Sequence, residues 1–413
     1  MTSTMPQAMD PAVVLGLFDT GLAVVRGLAR AGIQVFGFDS EPDQPGFKSR
    51  FGAPGLCPDP TKSPDDLVEF LLERARAEGR RPVLFPTSDA FVLFVSARRD
   101  ALGPWYRYAL PDHDAVLTAL DKAAQYARAA AAGIPVPTTY APSTLEEVER
   151  VARAVSYPAV VKPRIGHLWR ERFAGRKALR FDDPTSLVAW CREARVAGAV
   201  LVQEHVEGPN SSHCKVCAYF DHAGSAHAVI CMRKIRQYPV DFGVGTMMET
   251  VIEPEVRELG LRLFRALDWR GPGSIEFKRD RHDGRWKLIE LNARLWQQHG
   301  LAAASGLNFP LIQYRELTGT AQACNGYAVG VRWMDEFRDP RSVWEHRRRG
   351  LMGLTDWARS LCRTRAWALW ALDDPAPFLA RALQQTASVL RRAAVRSGLR
   401  GSRETDRSAL RRR

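Results

Sequence analysis

The residues best suited to chemistry are concentrated in the stretch 273–294, which reads GSIEFKRDRHDGRWKLIELNAR. Its first half alternates polar and apolar residues, which predicts a strand with Glu276 on one face. The Asp-Gly dipeptide at 283–284 is typical of a tight turn, so the second half folds back as an antiparallel strand. In such a hairpin the side chains of Glu276, Glu290 and Asn292 can point the same way.

Two carboxylates and an amide oxygen at the end of a sheet are suited to binding a hard cation. Magnesium prefers oxygen ligands and usually completes its shell with water and substrate phosphates. Arg294, close behind them in the sequence, can neutralise phosphate charge that the metal leaves uncompensated. The pattern E-x-N-x-R fits an amphipathic hairpin with a charged solvent face equally well. The choice therefore depends on phosphate-binding residues elsewhere in the chain.

The N-terminal residues predict a βαβ unit with a polar turn between strand and helix. Residues 12–18, AVVLGLF, are typical of a buried strand, and Asp19 and Thr20 follow it. A later strand ends just before Ser88 and Asp89. Ligands of open α/β sheets bind outside the carboxyl ends of strands, so these four residues are candidates for substrate contact. Capping of the following helices is the alternative for each of them.

Further cations lie along the middle of the chain. Lys122 precedes a predicted helix, and Lys162 ends the buried strand of YPAVVKP, where a lysine is uncommon without an anionic partner. A basic run from 233 to 238 lies on or just after another strand, and an ordinary solvated charge run is the alternative interpretation there.

Five motifs in this order and approximate spacing resemble the ATP-grasp superfamily, and most of all its carboxylate-amine ligase branch, which includes D-aspartate ligase-like proteins. They are Asp121-Lys122 ahead of GIPVP, YPAVVKP around Lys162, VQEHVEGPN, GSIEF and IELNAR. The resemblance covers about residues 12–320. It implies an α/β and α+β ATP-grasp fold in four parts. These are a Rossmann-like N-terminal domain (1–115), a small lid subdomain (116–205), a large antiparallel-sheet subdomain for nucleotide and metal (206–334), and a helical basic C-terminal extension (335–413).

The resemblance also implies ATP and Mg²⁺ or Mn²⁺ as cofactors, and a role for each matching residue. The implied nucleotide contacts are Lys122 and Lys162 at the phosphates, Gln203, Glu204 and Val206 at adenine, Asn210 at or next to the ribose, and Lys234 as a further phosphate contact. The implied metal ligands are Glu276, Glu290 and Asn292. The implied catalytic residues are Arg294, Lys162 and Arg233. The implied substrate contacts are Arg236 and Tyr238, which join the candidates from the strand ends, Asp19, Thr20, Ser88 and Asp89.

Two features depart from the family pattern. The phosphate loop, residues 164–176, is poor in glycine, so that side-chain cations could substitute for backbone N–H groups. The cationic and aromatic residues of this loop are Arg164, His167, Trp169, Arg170, Arg172 and Arg176. Asn210 stands where many members have an acid, which leaves the nucleotide selectivity open.

The implied reaction follows from the charges of its reactants. A carboxylate is a poor electrophile, and transfer of the γ-phosphoryl group of ATP converts it into an acylphosphate that an amine can attack. Positioning and charge neutralisation by magnesium, lysine and arginine suffice for the first step, so no nucleophilic side chain is needed. The implied partners are a small carboxylic acid and an amine. A small-molecule kinase of the same fold and an inactive nucleotide-binding scaffold stay open as alternatives.

Composition excludes several other classes of protein. The 413 residues, 46% of them apolar, are enough for two or three domains. Seven scattered cysteines do not indicate a disulfide framework. Apolar runs fall short of the roughly 18 residues that cross a bilayer. The first residues also lack the pattern of a signal peptide, so we expect a cytoplasmic protein.

Positive charge is concentrated near the C terminus, where residues 341–413 include 17 arginines and 6 acidic residues. Helical apolar periodicity with intervening arginines could place this region on an anionic membrane surface or a protein partner, and packing against the enzyme body is the alternative. No motif supports sequence-specific nucleic-acid binding. The sequence does not determine the oligomeric state, and the homodimers common in the family remain open.

Overall fold

The computed structural model describes residues 9–166, 177–388 and 390, and within them the chain forms three β-sheets. The strands of the first sheet are β1 (Ala12–Leu15), β2 (Val35–Asp39), β3 (Ala53–Leu56) and β4 (Val83–Pro86). They are parallel in the order β3-β2-β1-β4. The helices of this part are α1 (Asp19–Ala29), α2 (Pro64–Glu78), α3 (Asp89–Ala97), α4 (Arg99–Leu102) and α5 (His113–Leu120). Every residue of β1, β2 and β4 is buried, as expected for the apolar strands of a parallel sheet that is covered on both faces.

The second sheet belongs to a small subdomain with a core of its own. Its helices are α6 (Lys122–Ala131), α7 (Leu145–Ala154) and α8 (Pro184–Ala194), and its strands are β5 (Thr139–Tyr140), β6 (Ala159–Pro163), β7 (Leu179–Phe181) and β8 (Val200–Glu204). The strand order is β5-β8-β6-β7. Val148 of α7 and Leu187 of α8 belong to one buried cluster with Val161 and Val202 of the sheet. This packing fixes the end of β6, where Lys162 lies.

The third sheet has seven strands and is antiparallel except at one edge. Its strands are β9 (His213–Phe220), β10 (Ala226–Tyr238), β11 (Val244–Val251), β12 (Gly271–Arg279), β13 (Trp286–Asn292), β14 (Arg332–Met334) and β15 (Thr364–Trp367). They run in the order β13-β12-β9-β10-β11-β14-β15. The accompanying helices are α9 (Pro254–Ala266), α10 (His299–Ala304), α11 (Phe309–Leu317), α12 (Asp339–Arg348) and α13 (Leu354–Leu361). The predicted mixture of α/β and α+β structure is therefore present.

The predicted hairpin forms β12 and β13, and its register places the polar residues together. Glu276 lies directly opposite Glu290, and Ser274 lies opposite Asn292. Because side chains alternate along a strand, both carboxylates share one face with Asn292, whereas Ile275 points into the core on the other face.

The region beyond residue 335 contains a strand in addition to helices, contrary to the helical periodicity of its sequence. β15 pairs in parallel with β14 at the edge of the large sheet. This pairing supplies partners for the backbone groups of an edge strand and outweighs the local helical pattern. The boundary predicted between residues 334 and 335 thus falls between two strands of one sheet.

The C-terminal region is also attached to the N-terminal domain. The buried carboxylate of Asp374 accepts hydrogen bonds from Arg26 Nε at 2.9 Å and from Ser49 Oγ at 2.7 Å. Residues 389 and 391–413 lie outside the described residues. Among the helices that are described, none combines the length and apolar character needed to span a bilayer. Contact of the basic region with a membrane surface or a protein partner stays a prediction.

We predict that Asp339→Ala lowers the free energy of unfolding by about 3–5 kcal/mol, because it leaves the Arg236 guanidinium buried without its partner. Arg236 Nε and Nη2 donate to the two oxygens of Asp339 at 2.9 and 2.7 Å, and the side chains are 2% and 0% exposed. Urea unfolding measures the change. In the control Asp373→Ala, which removes the exposed pair with Arg30, the change should stay below about 1 kcal/mol. An equally small change in Asp339→Ala would contradict a structural role for the buried pair.

Candidate active site

The carboxylate of Glu276 is surrounded by nitrogen groups of the large sheet. Its Oε1 accepts hydrogen bonds from Lys234 Nζ at 2.6 Å and from His213 Nδ1 at 2.7 Å. Its Oε2 lies 3.9 Å from Lys215 Nζ. Burial raises the pKa of Glu276, but Lys234 and His213 outweigh it and hold the pKa well below the usual range. Glu276 is therefore ionised although it is only 9% exposed.

Glu290, on the neighbouring strand, contacts lysines of the small subdomain. Its Oε1 lies 3.7 Å from the Nζ of Lys122 at the start of α6, and its Oε2 lies 3.9 Å from the Nζ of Lys177. Burial raises the pKa of Glu290, but the charges of Lys177 and Lys122 outweigh burial and lower the pKa to about 2. The hairpin and the small subdomain therefore meet through opposite charges.

Lys162 occupies the buried end of β6. Its Nζ donates to the hydroxyl of Tyr126 at 2.7 Å and lies 5.1 Å from the centre of that ring. Burial lowers the pKa of Lys162 to about 8, and the charge of Glu290 opposes this effect. Among the described residues, no carboxylate oxygen lies within ion-pair distance of this ammonium group. A buried cation of this kind is suited to binding a ligand anion.

The residues predicted to meet adenine connect the second sheet to the third. Gln203 is buried at the end of β8. Glu204 Oε1 accepts from Lys287 Nζ at 2.9 Å, and the carbonyl oxygen of Val206 accepts from Lys278 Nζ at 2.7 Å. These contacts fix the segment against the large sheet, beside the hairpin.

Asn210, predicted at the ribose, has hydrogen-bond partners on both sides. Its Oδ1 accepts from Gln237 Nε2 at 2.9 Å, and its Nδ2 lies 3.1 Å from Nε2 of His346 on α12. A helix of the C-terminal region therefore reaches this end of the site.

Two of the residues predicted to contact substrate lie close to the end of the hairpin. Arg294 Nε donates to Asp89 Oδ1 at 2.6 Å. Gln297 Nε2 donates to Asp19 Oδ2 at 2.8 Å, and Nη1 of Arg338 lies 3.6 Å from the same oxygen. Burial raises the pKa of Asp19 to about 7, although the charge of Arg338 opposes this rise. The carboxyl ends of β1 and β4 thus meet the hairpin, as the topology of the first sheet requires.

The other two residues of the N-terminal domain that were predicted to contact substrate lie at the starts of helices. Thr20 is buried in the first turn of α1. Ser88 Oγ accepts from the backbone N–H of Phe91 at 3.3 Å and caps α3, which is the alternative that its sequence position left open.

The basic residues of β10 point in different directions. Lys234 faces the hairpin carboxylates, so its neighbour Arg233 points to the other face of the sheet, where Nη2 donates to Glu253 at 3.1 Å. Arg236 follows a register irregularity and is held in its buried ion pair. Tyr238 ends the strand and is half-buried. The predicted catalytic role of Arg233 and substrate role of Arg236 do not fit these positions, because a strand directs the residues of one basic run to different environments.

Some residues of the site were not predicted from the sequence. They are Tyr126, Lys177, His213 and Lys215. The alternation at the start of β9, HCKVC, places His213 and Lys215 on one face and could have indicated them. No comparable pattern marks Lys177. Most of the residues predicted to act in the phosphate loop lie outside the described residues. They are His167, Trp169, Arg170, Arg172 and Arg176.

The donor set fits magnesium that is bound together with a nucleotide. Glu276 and Glu290 are both ionised, and Asn292 adds an amide oxygen on the same face. Ser274, opposite Asn292, has a buried hydroxyl without a hydrogen-bond partner. In the part of the chain that the structure describes, no group of three or more His, Cys, Asp or Glu residues could form a metal centre. Two carboxylates are enough when phosphates and water complete the shell.

The middle of the chain matches a known domain. Residues 121–319 match the family model of the carbamoyl-phosphate synthase L chain, ATP binding domain. The carbamoyl phosphate synthase large chain of Pyrococcus furiosus is 24% identical over 177 residues, which cover 41% of this chain and 16% of that protein. The chain spans no more than 42% of the length of the curated relatives that it matches.

Solved structures share the fold at low sequence identity. One is the dimer of the biotin carboxylase domain of Hydrogenobacter thermophilus 2-oxoglutarate carboxylase in complex with MgADP, ADP and bicarbonate. It has a TM-score of 0.61 and 18% identity, with coverage of 79% of this chain and 74% of that chain. The L-amino acid ligase of Bacillus licheniformis has a TM-score of 0.58 and 18% identity, with coverage of 76% and 75%.

These similarities confirm the predicted fold. The matched family model is that of an ATP-binding domain, and the biotin carboxylase domain was solved with MgADP, in agreement with the predicted cofactors. The lysines of the small subdomain face a carboxylate of the large sheet, with Lys122 and Lys177 at 3.7 and 3.9 Å from the oxygens of Glu290. The resemblance to the ATP-grasp superfamily that the five sequence motifs indicate is thus confirmed over residues 121–319, and the solved structures share the fold.

Proposed function

We propose that the protein is an ATP-dependent carboxylate-amine ligase, which forms an amide bond through an acylphosphate and releases ADP and phosphate. The observation that carries this proposal is the excess of positive charge around the hairpin carboxylates. Four lysine ammonium groups lie within 3.9 Å of the oxygens of Glu276 and Glu290. Two negative charges therefore face four positive ones, before Lys162 is counted.

An excess of cations, of which Lys122, Lys215 and Lys234 are largely shielded from water, favours a polyanionic ligand. Placing unpaired charges away from water is costly, and an anion that pairs with them removes much of this cost. A triphosphate carries several negative charges on oxygens that lysine and arginine can contact together. The arrangement therefore supports a nucleotide whose phosphates lie between the small subdomain and the hairpin.

The lysines on the carboxylates occupy the positions that a metal would need. When the nucleotide is bound, Glu276, Glu290 and Asn292 would hold magnesium, which would neutralise phosphate charge. Lys234 and Lys122 must then leave the carboxylate oxygens and turn to the phosphates. Arriving phosphates make this exchange favourable, because each lysine finds a new anionic partner as it gives up the old one.

The substrates would meet at the end of the hairpin next to the N-terminal domain. Arg294 is paired with Asp89 and can neutralise charge on the phosphoryl group that is transferred. A protonated amine must give up a proton before its nitrogen can attack an acylphosphate, and a carboxylate with a pKa near neutrality is suited to accept that proton. Asp19, whose pKa burial raises to about 7, is the candidate for this role.

We predict that Glu290→Gln reduces acid-dependent ADP formation by at least about 100-fold, because a neutral amide neither attracts the metal nor orders the two lysines. Initial rates with a panel of carboxylic acids and amines measure the effect, and thermal unfolding checks that the variant is folded. Glu316→Gln is the matched control, since Glu316 accepts from Tyr219 and His222 outside the cleft and should leave the rate unchanged. Normal turnover in Glu290→Gln would exclude the proposed metal site.

Mass spectrometry of the products separates the ligase from the kinase alternative. A ligase incorporates the amine nitrogen and releases phosphate in a 1:1 ratio to ADP, whereas a kinase releases a phosphorylated acid whether or not an amine is present. Formation of the phosphorylated compound as the final product in the presence of active amines would refute the ligase and favour the kinase.

We predict that MgATP raises the melting temperature of the protein, whereas millimolar magnesium alone leaves it nearly unchanged. Lys234 and Lys122 compete with a free metal ion for Glu276 and Glu290, and this competition ends only when phosphates are present. Differential scanning fluorimetry measures both shifts. A large shift with magnesium alone would show that the lysines do not hold the carboxylates as described.

We predict that the affinity for MgATP falls above a pH of about 8, by up to about tenfold per pH unit, as Lys162 loses the proton needed for phosphate contact. Burial lowers the pKa of Lys162 to about 8, so the folded protein releases this proton at lower pH than the unfolded chain does. The unliganded protein should therefore gain stability from this group as the pH rises from about 8 towards about 10.4, while nucleotide affinity falls.

Calorimetric titration of Lys162→Arg provides the comparison, because arginine remains charged over this range. The variant should lose the steep pH dependence. Burial also lowers the pKa of Lys278 to about 8, so the difference between the two proteins, rather than the wild-type curve alone, isolates Lys162. An equally steep decline in the variant would contradict the role of Lys162.

A further inference from the structure

The lysine that pairs with Glu276 is connected to a helix of the C-terminal region by a chain of buried and partly buried hydrogen bonds. Lys234 Nζ donates to Gln237 Oε1 at 3.1 Å, and Gln237 Nε2 donates to Asn210 Oδ1 at 2.9 Å. Asn210 Nδ2 lies 3.1 Å from His346 Nε2 on α12. Gln237 is 4% exposed and His346 is 7% exposed.

We propose that His346 is a positioning residue of the nucleotide site, which fixes Lys234 for phosphate binding through Asn210 and Gln237. The inference rests on the proposed function, because it assumes that the cleft binds a nucleoside triphosphate. It assigns to the C-terminal region a part in ligand binding that neither the five motifs nor the matched domain, which ends at residue 319, includes.

The groups at the two ends of this hydrogen-bond chain determine which group donates and which accepts at every step. A lysine ammonium group can only donate, so Gln237 turns its carbonyl oxygen to Lys234 and its NH₂ group to Asn210. Asn210 in turn accepts with its oxygen and presents its NH₂ group to His346, whose Nε2 must then be the acceptor. The proton of the neutral ring lies on Nδ1, which is 2.8 Å from the carbonyl oxygen of Ser342 and donates to it. Each amide and the imidazole thus has one orientation that satisfies all of its neighbours.

Two further hydrogen bonds fasten the same strand end to α12. Ser342 Oγ donates to the backbone carbonyl of Gln237 at 2.7 Å. The backbone N–H of Val240 donates to Glu345 Oε2 at 3.2 Å, and the carbonyl of Val240 accepts from Gln237 Nε2 at 2.6 Å. The position of Gln237 therefore depends on α12 through its backbone as well as through its side chain.

These hydrogen bonds matter most when Lys234 exchanges Glu276 for the phosphates. In the unliganded protein Glu276 holds the ammonium group at 2.6 Å, and the bond to Gln237 is the longer of the two. Once Glu276 turns to a metal, Gln237 is the contact that keeps Lys234 beside the phosphates. A carbonyl oxygen that is held in one orientation does this better than an amide that can rotate, because less freedom is lost on binding.

The test is a comparison of MgATP affinities measured by isothermal titration calorimetry with the full chain. His346→Ala should bind MgATP about five- to tenfold more weakly than the wild type, as expected for the loss of a hydrogen-bonded support of a charged contact. His346→Gln should bind within about twofold of the wild type, because its Oε1 can accept from Asn210 and its NH₂ group can donate to Ser342. Arg347→Ala, on the exposed side of α12, is the matched control and should bind normally.

A double substitution separates positioning from a general effect on packing. In the Lys234→Met background, adding His346→Ala should cause no further loss of affinity, because the residue through which His346 acts is already gone. A further loss as large as that in the wild-type background would show that His346 acts by another route and would overturn the inference. Affinity in His346→Gln as weak as in His346→Ala would overturn it as well, since a hydrogen bond would then not carry the effect.

The failure of the inference and that of the proposed function have different signatures. If the wild type binds MgATP and His346→Ala binds it equally well, only the inference fails. If the wild type itself does not bind MgATP, the proposed function fails, and the inference fails with it.

Discussion

Two carboxylates that face each other across a β-hairpin are the constraint on which the rest of the site depends. Like charges directly opposite on neighbouring strands destabilise a sheet, and protonation does not relieve the repulsion here, because nearby lysines keep the pKa values of Glu276 and Glu290 low. Cations must therefore come from other elements. Lys215 and Lys234 come from the same sheet, whereas the lysines at Glu290 come from the small subdomain. The charge of the hairpin thus determines where the small subdomain packs against the large sheet.

Under the proposed function, the same cations would serve the unliganded protein and the nucleotide complex. In the structure they pair with the hairpin carboxylates, and those of the small subdomain hold it against the large sheet. With phosphates present they would have stronger anionic partners, and the carboxylates would become available to a metal. Lys162 marks the difference between these states, because it has no carboxylate partner among the described residues and a pKa that burial lowers to about 8. The unliganded site therefore stores an unfavourable buried charge that phosphate binding would relieve.

Sequence patterns predict the parts of this site that depend on local structure. The hairpin, the shared face of its polar residues and the lysine at the end of β6 follow from alternation and from a turn dipeptide, and the structure has all of them. Arg233 follows the alternation, but the sequence alone does not tell which of Arg233 and Lys234 faces the hairpin. Arg236 could not be placed in this way, because a register irregularity and a partner about a hundred residues away decide where it points. The strand at 364–367 was missed for the same reason, since its partner β14 lies 30 residues earlier along the chain. Lys177 borders a stretch whose local pattern carries no information about what it contacts.

The described part of the C-terminal region is better understood as part of the folded body of the protein than as an appendage. The buried face of α12, which includes Ser342, Val343 and His346, is already packed against the large sheet, so it is not available to a membrane or a partner. Arg338 reaches Asp19 at the end proposed for the substrates, and His346 reaches Asn210 at the other end of the proposed site. A segment that contacts both ends can couple them, because any shift of α12 on the sheet moves both contacts together. The described part of this region thus favours the packing alternative, and its exposed arginines mark the outer surface of an element whose inner surface contributes to the site.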